Sequence, residues 1–109
     1  MGCCNKTMPP AVGTKLKLNV TATFNDNRDL TLKNVDFDIV VYTGHNSRTY
    51  TKDELIPEDD NNYIVLVDTD EVGAGEYHMK LIARIPDADF EDGFRTEVVR
   101  FPTGVRVIN

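Results

Sequence analysis

The chain has 109 residues, 40% of them hydrophobic and 28% charged, with a net charge of −6 at pH 7. This length predicts one domain with a modest core, and the negative charge disfavours nucleic-acid binding, which depends mainly on neutralising phosphates. No segment approaches the roughly 20 apolar residues of a membrane helix and no secretory leader is visible, so we expect no membrane partner and a protein made and kept in a cytoplasm, or released from one by lysis.

The chain opens with an extended arm, residues 1–13, that precedes any strand pattern. Two adjacent prolines restrict its backbone, which lowers the entropy lost if the arm docks on a surface. Its side chains are mostly apolar, which is unusual for a solvated tail. We therefore expect the arm to pack on its own domain or on another subunit. The predicted contact residues are Cys3, Cys4, Met8, Pro9, Pro10 and Val12.

Cys3 and Cys4 are the only cysteines of the chain. A structural metal site would need two further soft ligands, and His45 and His78 lie far away without ligand spacing. A catalytic thiol needs an ordered electropositive setting and an oriented base, which a cysteine so near a terminus rarely has. We expect reduced thiols that act as small hydrophobic groups. Palmitoylation of either cysteine is an open alternative.

Residues 14–109 form the predicted folded domain, and its first half contains three strands. The run KLKLNVTATF alternates strictly between apolar and polar residues, which is typical of a strand with one wet face. NVDFDIVVYT repeats this pattern with its apolar residues inward, and SRTYT is a short third strand. In TKDELIPEDDNN, Thr51 and Glu54 fit a capping box for one helical turn, which Pro57 ends early.

The second half contains four further predicted strands. YIVLVDT is apolar on both faces, as expected for a central strand. In EYHMKLIARI, alternate residues from Tyr77 to Ile85 share one face, and the acidic loop PDADFEDG follows. FRTEVVRF and GVRVI are the last two strands. Pro102 and Gly104 stand between them, which indicates a bulge or a shift between strands.

About seven short strands with regularly spaced turns predict an all-β fold, an immunoglobulin-like antiparallel β-sandwich. The run Gly75–Met79, GEYHM, resembles the G-x-Y-x-C element that leads into strand F of immunoglobulin domains. The resemblance implies that Tyr77 makes the corner hydrogen bond and that Met79 takes the place of the core cysteine. The chain lacks the core disulfide, which fits an intracellular sandwich.

Charge is distributed unevenly along the chain. The segment from Met1 to Asn25 has no acidic residue, whereas the segment from Asp53 to Asp92 is strongly acidic. One interpretation is a solvated acidic face with a short basic end. The other is attraction between the basic end of one subunit and the acidic loop of a neighbour, which would set orientation. The charged residues of this second interpretation are Lys6, Lys15, Lys17, Asp87, Asp89 and Asp92.

The loop that contains Asp87, Asp89 and Asp92 also invites a calcium interpretation. In an EF-hand register counted from Asp87, the required glycine and glutamate positions hold Asp92 and Val98, so that motif fails. A calcium site of another type is an open alternative. His45 lies in a turn and His78 on an outward strand face, and no nucleophile and base are suitably spaced. We expect no metal, no cofactor and no enzymatic activity.

A longer stretch, from DFDIVVYT to GVRVI, is similar to small immunoglobulin-like virion proteins of tailed phages, notably crAss-like phages, and to N-terminal modules of baseplate upper proteins. The similar elements are YIVLVDT, Val72–Tyr77 and IPDADFEDGFRTEV. The resemblance implies a virion structural protein made in the bacterial host cytoplasm. Its partners would be other virion proteins, either the major capsid protein or tail subunits, in a symmetric assembly.

Within this resemblance, the leading hypothesis is an auxiliary protein that decorates the capsid lattice, with a tail or baseplate component as an alternative. A sandwich that recognises glycans or proteins through its loops is the alternative from a different class. Sugar binding favours exposed aromatic rings for stacking, and the loops offer only Phe90 and Phe94.

Overall fold

The computed structural model describes residues 9–23 and 30–109. Within these ranges the chain forms seven strands and two single helical turns. The strands are β1 (Lys15–Thr21), β2 (Asp36–Tyr42), β3 (Ser47–Thr51), β4 (Ile56–Asp59), β5 (Asn62–Asp68), β6 (Gly75–Pro86) and β7 (Phe94–Val107). A 3-10 turn (Lys52–Glu54) precedes β4, and a helical turn, α1 (Thr69–Val72), follows β5.

The strands form two antiparallel sheets that pack as an immunoglobulin-like sandwich, as the alternation predicts. One sheet has the order β1-β5-β4 and the other has the order β3-β2-β6-β7. In immunoglobulin lettering these sheets correspond to B-E-D and C′-C-F-G. The strand YIVLVDT is central in the first sheet, as its apolar character predicts.

The core lies between the sheets and is built from alternate residues of each strand. The predicted inward faces of β2 and β6 are confirmed, since every second residue of each is buried. Val20, Phe37 and Leu81 are fully enclosed. The ring of Phe37 meets that of Tyr63 edge to face, with centroids 5.2 Å apart. The local two-residue period therefore places the core residues correctly.

The tyrosine corner is confirmed. The buried Tyr77 donates a hydrogen bond from its hydroxyl to the carbonyl oxygen of Gly73, 2.6 Å away. Burial raises the pKa of this hydroxyl, so it remains a donor. Two residues later, Met79 is buried in the core at the position of the immunoglobulin cysteine.

Strand β7 differs from the sequence prediction, which divides it into two strands. It is one strand that pairs with β6 from Phe94 to Val107, and the interruption is a bulge inside it. Thr103, Gly104 and Val105 all stand opposite Tyr77, and Gly104 has φ +71°. The hydroxyl of Thr103 donates to the carbonyl oxygen of Tyr77 at 2.6 Å and secures the bulge. The predicted bulge is therefore confirmed, and the predicted break into two strands is wrong.

Strand β4 is absent from the sequence prediction. The predicted capping box is present, because the backbone N–H of Thr51 donates to Glu54 Oε1 at 2.9 Å. The 3-10 turn then ends, and Ile56–Asp59 pairs with β5 although all four of its residues are exposed. A strand without a buried face has no alternation to reveal it, and Pro57 argues against it in the sequence.

Candidate functional site

The root of the N-terminal arm is attached to the domain itself. Val12 N–H donates to the carbonyl oxygen of Ile108 at 2.8 Å, and Ile108 N–H donates to that of Pro10 at 2.9 Å. These bonds make one parallel bridge between Ala11 and Ile108 at the end of β7. Among the predicted arm contacts, Pro10 is partly buried, Val12 is bonded to the domain through its backbone but has an exposed side chain, and Pro9 is exposed. Cys3, Cys4, Lys6 and Met8 lie outside the described residues.

A buried threonine holds the base of the arm. The Oγ1 of Thr69 accepts a hydrogen bond from Gly13 N–H at 2.8 Å and donates one to the carbonyl oxygen of Thr14 at 2.7 Å. Thr69 is fully buried at the start of α1. Sequence reasoning misses this residue because both of its partners are more than 50 positions away along the chain.

The predicted charged contacts are found in separate places. Lys15 pairs with Asp68 on the neighbouring strand, with Nζ 3.0 Å from Oδ2, and this hydrogen bond raises the pKa of Lys15. Lys17 is exposed on the same outward face of β1. In the loop between β6 and β7, Asp87 Oδ2 lies 3.9 Å from Arg95 Nη1.

The acidic loop uses two of its carboxylates to shape its own turns. Asp87 Oδ1 accepts from the backbone N–H of Asp89 at 3.0 Å, and Asp92 Oδ1 accepts from that of Phe94 at 3.1 Å. These are local side-chain to backbone bonds of the kind common in turns. In the described ranges, no three His, Cys, Asp or Glu side chains form a group that could hold a metal ion. The calcium alternative therefore has no assembled ligand set here.

Three large apolar side chains are exposed on the outward side of the β6–β7 hairpin. Phe90 is 50% exposed, Phe94 47% and Val98 45%. Phe90 and Phe94 border one concavity at the tip, together with Arg95 and Thr96. Contiguous exposed apolar surface commonly marks a site of protein contact. We call this surface the hairpin face, which comprises Lys80, Ile82, Arg84, Pro86, Phe90, Phe94, Thr96, Val98 and Arg100 together with the loop acids Asp89, Glu91 and Asp92.

The strand register arranges the hairpin face in rows. From the tip inward, Phe94 stands opposite Pro86, Thr96 opposite Arg84, Val98 opposite Ile82, and Arg100 opposite Lys80. These residues share the outward face because their neighbours on β6, such as Leu81 and Ala83, are buried. The face therefore runs from an acidic tip, across apolar rows, to a basic row.

The charged residues of the rows differ in their pairing. Arg84 is neutralised, since its Nε lies 2.7 Å from Asp36 Oδ2 and its Nη1 lies 3.5 Å from Asp38 Oδ2. Its hydrogen bond holds the pKa of Asp36 below the ordinary value. Lys80 and Arg100 make no ion pair within the described part of the chain, and Lys80 Nζ lies 5.7 Å from the ring of Tyr42. Their positive charge is therefore free to meet an external partner.

The exposure of the hairpin follows from the unequal sizes of the two sheets. The three-stranded sheet has no strand in the described ranges that could cover β7. Residues on the inner side of β7 are consequently only partly buried as far as Val105. The tip also extends past β2, whose pairing with β6 ends at Asp36 and Arg84.

Searches against protein-family models, curated proteins and solved structures find no significant match for this chain. Over residues 9–23 and 30–109, no helix is long and apolar enough to cross a membrane.

Proposed function

We propose that the protein is a non-enzymatic structural subunit of a virion, and specifically an auxiliary protein bound to the major capsid lattice of a tailed phage. The observation that carries this proposal is the hairpin face, where three large apolar side chains stand about half exposed on a well-packed sandwich. Such a surface suits a protein that works by contact with other proteins. The resemblance of the stretch from DFDIVVYT to GVRVI to phage virion proteins supports the choice of assembly.

The arm supplies the second contact in this proposal. Its root leaves the sandwich beside Ile108, at the end of β7 that is opposite the hairpin tip. A subunit with contacts at both ends can hold neighbours in a lattice through several weak interactions that symmetry multiplies. In this proposal the arm anchors the subunit and the hairpin face contacts a neighbour, so a mutation can remove one contact and leave the other.

The test is the composition of particles released by host cells that carry the gene. Particles are purified on a density gradient, and the protein is quantified by mass spectrometry against the major capsid protein. We expect a copy number comparable with that of the capsid subunit. A fixed low copy number that follows isolated tails would favour the tail or baseplate alternative, and absence from particles would refute both.

A truncation tests the arm. Deleting residues 1–8 leaves the Pro10–Ile108 and Val12–Ile108 hydrogen bonds in place, so we expect the melting temperature to be unchanged. We expect incorporation into particles to fall sharply. Normal occupancy of the truncated protein on purified particles would refute the role of the arm. A Cys3→Ser/Cys4→Ser variant of the full chain serves as the control that separates the thiols from the rest of the arm.

Glycan recognition is the second candidate function, and the pair of exposed phenylalanines at the tip favours it. Phe90 and Phe94 border one concavity that also contains the carboxylates of Glu91 and Asp92. Aromatic rings with adjacent polar groups suit the stacking and hydrogen bonding of a sugar. A glycan array with the intact protein decides this point, with a Phe90→Ala/Phe94→Ala variant as the control.

A further inference from the structure

We infer that the hairpin face binds the same face of a second copy of this chain, with the two hairpins antiparallel across a two-fold axis. The virion proposal rests on the same face, and this inference names the partner of that face as a second copy of the chain; association of the isolated protein in solution tests it independently of particle composition. A two-fold interface is isologous, so the surface must be complementary to itself when it is reversed. The order of the rows on the hairpin face meets this condition.

The rows of the two copies match when the two-fold axis runs along the row of Thr96 and Arg84. Phe94 and Val98 each lie two residues from Thr96 on the same side of β7, or about 7 Å along the strand. Reversal about Thr96 therefore brings Phe94 of one copy onto Val98 of the other. On β6, the same reversal brings Pro86 onto Ile82. The apolar rows thus cover each other.

The charged rows match in the same register. Arg100 lies four residues from Thr96 along β7, and the acidic loop lies beyond Phe94 on the other side of Thr96, so reversal places the acidic tip of one copy towards Arg100 and Lys80 of the other. Neither of these basic side chains has an ion-pair partner among the described residues of its own copy. Arg84, which would face its own symmetry mate near the axis, is already neutralised by Asp36 and Asp38.

The size of the face predicts a weak dimer. Two strands about 4.8 Å apart and roughly 27 Å of strand length cover about 260 Å² per copy, or about 500 Å² in total, which is below the size of stable specific interfaces and fits a weak contact. The apolar rows supply attraction, and the opposite charges at the two ends set the register. We therefore expect a monomer–dimer equilibrium with a dissociation constant of about 100 μM to 1 mM.

The first experiment is sedimentation velocity of the full chain over that concentration range. We expect concentration-dependent dimerisation that weakens as salt is raised, because salt screens the charged rows. Val98→Asp should reduce association at least about tenfold, a loss of about 1.4 kcal/mol or more. Leu66→Asp is the matched control, since Leu66 is 48% exposed on the other sheet and should leave association unchanged. A protein that is monomeric throughout, or equal effects of the two variants, would overturn the inference.

Charge exchange tests the register. One variant carries Lys80→Glu and Arg100→Glu, and the other carries Asp89→Lys and Glu91→Lys. Asp92 is left unchanged because its carboxylate accepts a hydrogen bond from Phe94 N–H. Each variant alone should be monomeric, and their equimolar mixture should dimerise, since both acid–base contacts are then restored. Circular dichroism melting confirms that each variant is folded. Failure of the mixture to associate while the wild type dimerises would overturn the antiparallel register.

Discussion

The hydroxyl of Tyr77 and the carbonyl oxygen of Gly73 are joined by a 2.6 Å hydrogen bond that fixes the turn before β6. Tyr77 is also among the largest fully buried side chains of the core. The ring and the hydroxyl thus have separate effects on stability. The ring fills the core, and the hydroxyl satisfies a partly buried carbonyl group.

Tyr77→Phe removes this hydroxyl and keeps the ring. We expect the free energy of unfolding to fall by about 1–2 kcal/mol, since a partly buried carbonyl is left without its partner. For a domain of this size, each kcal/mol corresponds to roughly 4–8 °C in melting temperature. Tyr50→Phe is the control, because the buried Tyr50 hydroxyl makes no hydrogen bond within the described residues. That variant should be neutral or slightly stabilising, and equal losses in both would contradict the role of the corner bond.

Pro10 limits the parallel pairing between the arm and β7 to a single bridge. In a parallel ladder the N–H of residue 10 would donate to the carbonyl oxygen of Arg106, and proline has no N–H. Pro10→Ala restores a donor, so we expect the new amide of residue 10 to be protected in hydrogen-exchange NMR. Val12→Pro should have the opposite effect, with a loss of about 1 kcal/mol, because Val12 N–H bonds Ile108. Rapid exchange of the residue 10 amide would show that the ladder ends for another reason.

Gly104 occupies the left-handed region at the bulge in β7, with φ +71°. Gly104→Ala should destabilise the domain by about 1 kcal/mol through backbone strain, since no neighbouring atom lies within 4 Å of the added methyl group. Gly44→Ala is the matched control, because Gly44 has the same open surroundings without a positive φ. Urea unfolding measures both, and an equal effect at the two glycines would rule out conformational strain as the cause.

The Asp36–Arg84 pair predicts a pH dependence of stability. The hydrogen bond from Arg84 lowers the pKa of Asp36 from its ordinary value of 3.8. A carboxyl group with a lowered folded-state pKa contributes stability above the ordinary value, and loses it as the pH falls through the folded-state pKa. Asp36→Asn should therefore lower the melting temperature at pH 6 and converge with wild type as the pH falls through the lowered folded-state pKa of Asp36.

Both partners of this ion pair are substantially exposed, so the effect at pH 6 should stay below about 1 kcal/mol. Asp53→Asn is the control, since Asp53 makes no ion pair among the described residues. A difference between Asp36→Asn and wild type that persists unchanged at low pH would show that the pair is not its source.

The sequence predicts the sandwich well because strand alternation and turn residues are local signals. The buried faces of β2 and β6 and the corner at Tyr77 follow from the two-residue period and one short motif. The bulge near Gly104 is likewise visible in the residues that form it. By contrast, β4 has no buried face, so its pairing with β5 leaves no pattern in the sequence.

By itself, then, the amino-acid order determined most of the strand segments and which side of each faces the core, because a side chain's direction depends on its own backbone. Only the tertiary structure decided which distant residues meet, such as Thr69 with Gly13 and Lys15 with Asp68. It also decided that the outer rows of β6 and β7 are exposed together. Sheet order and register set these relationships, and both depend on the packing of the whole chain.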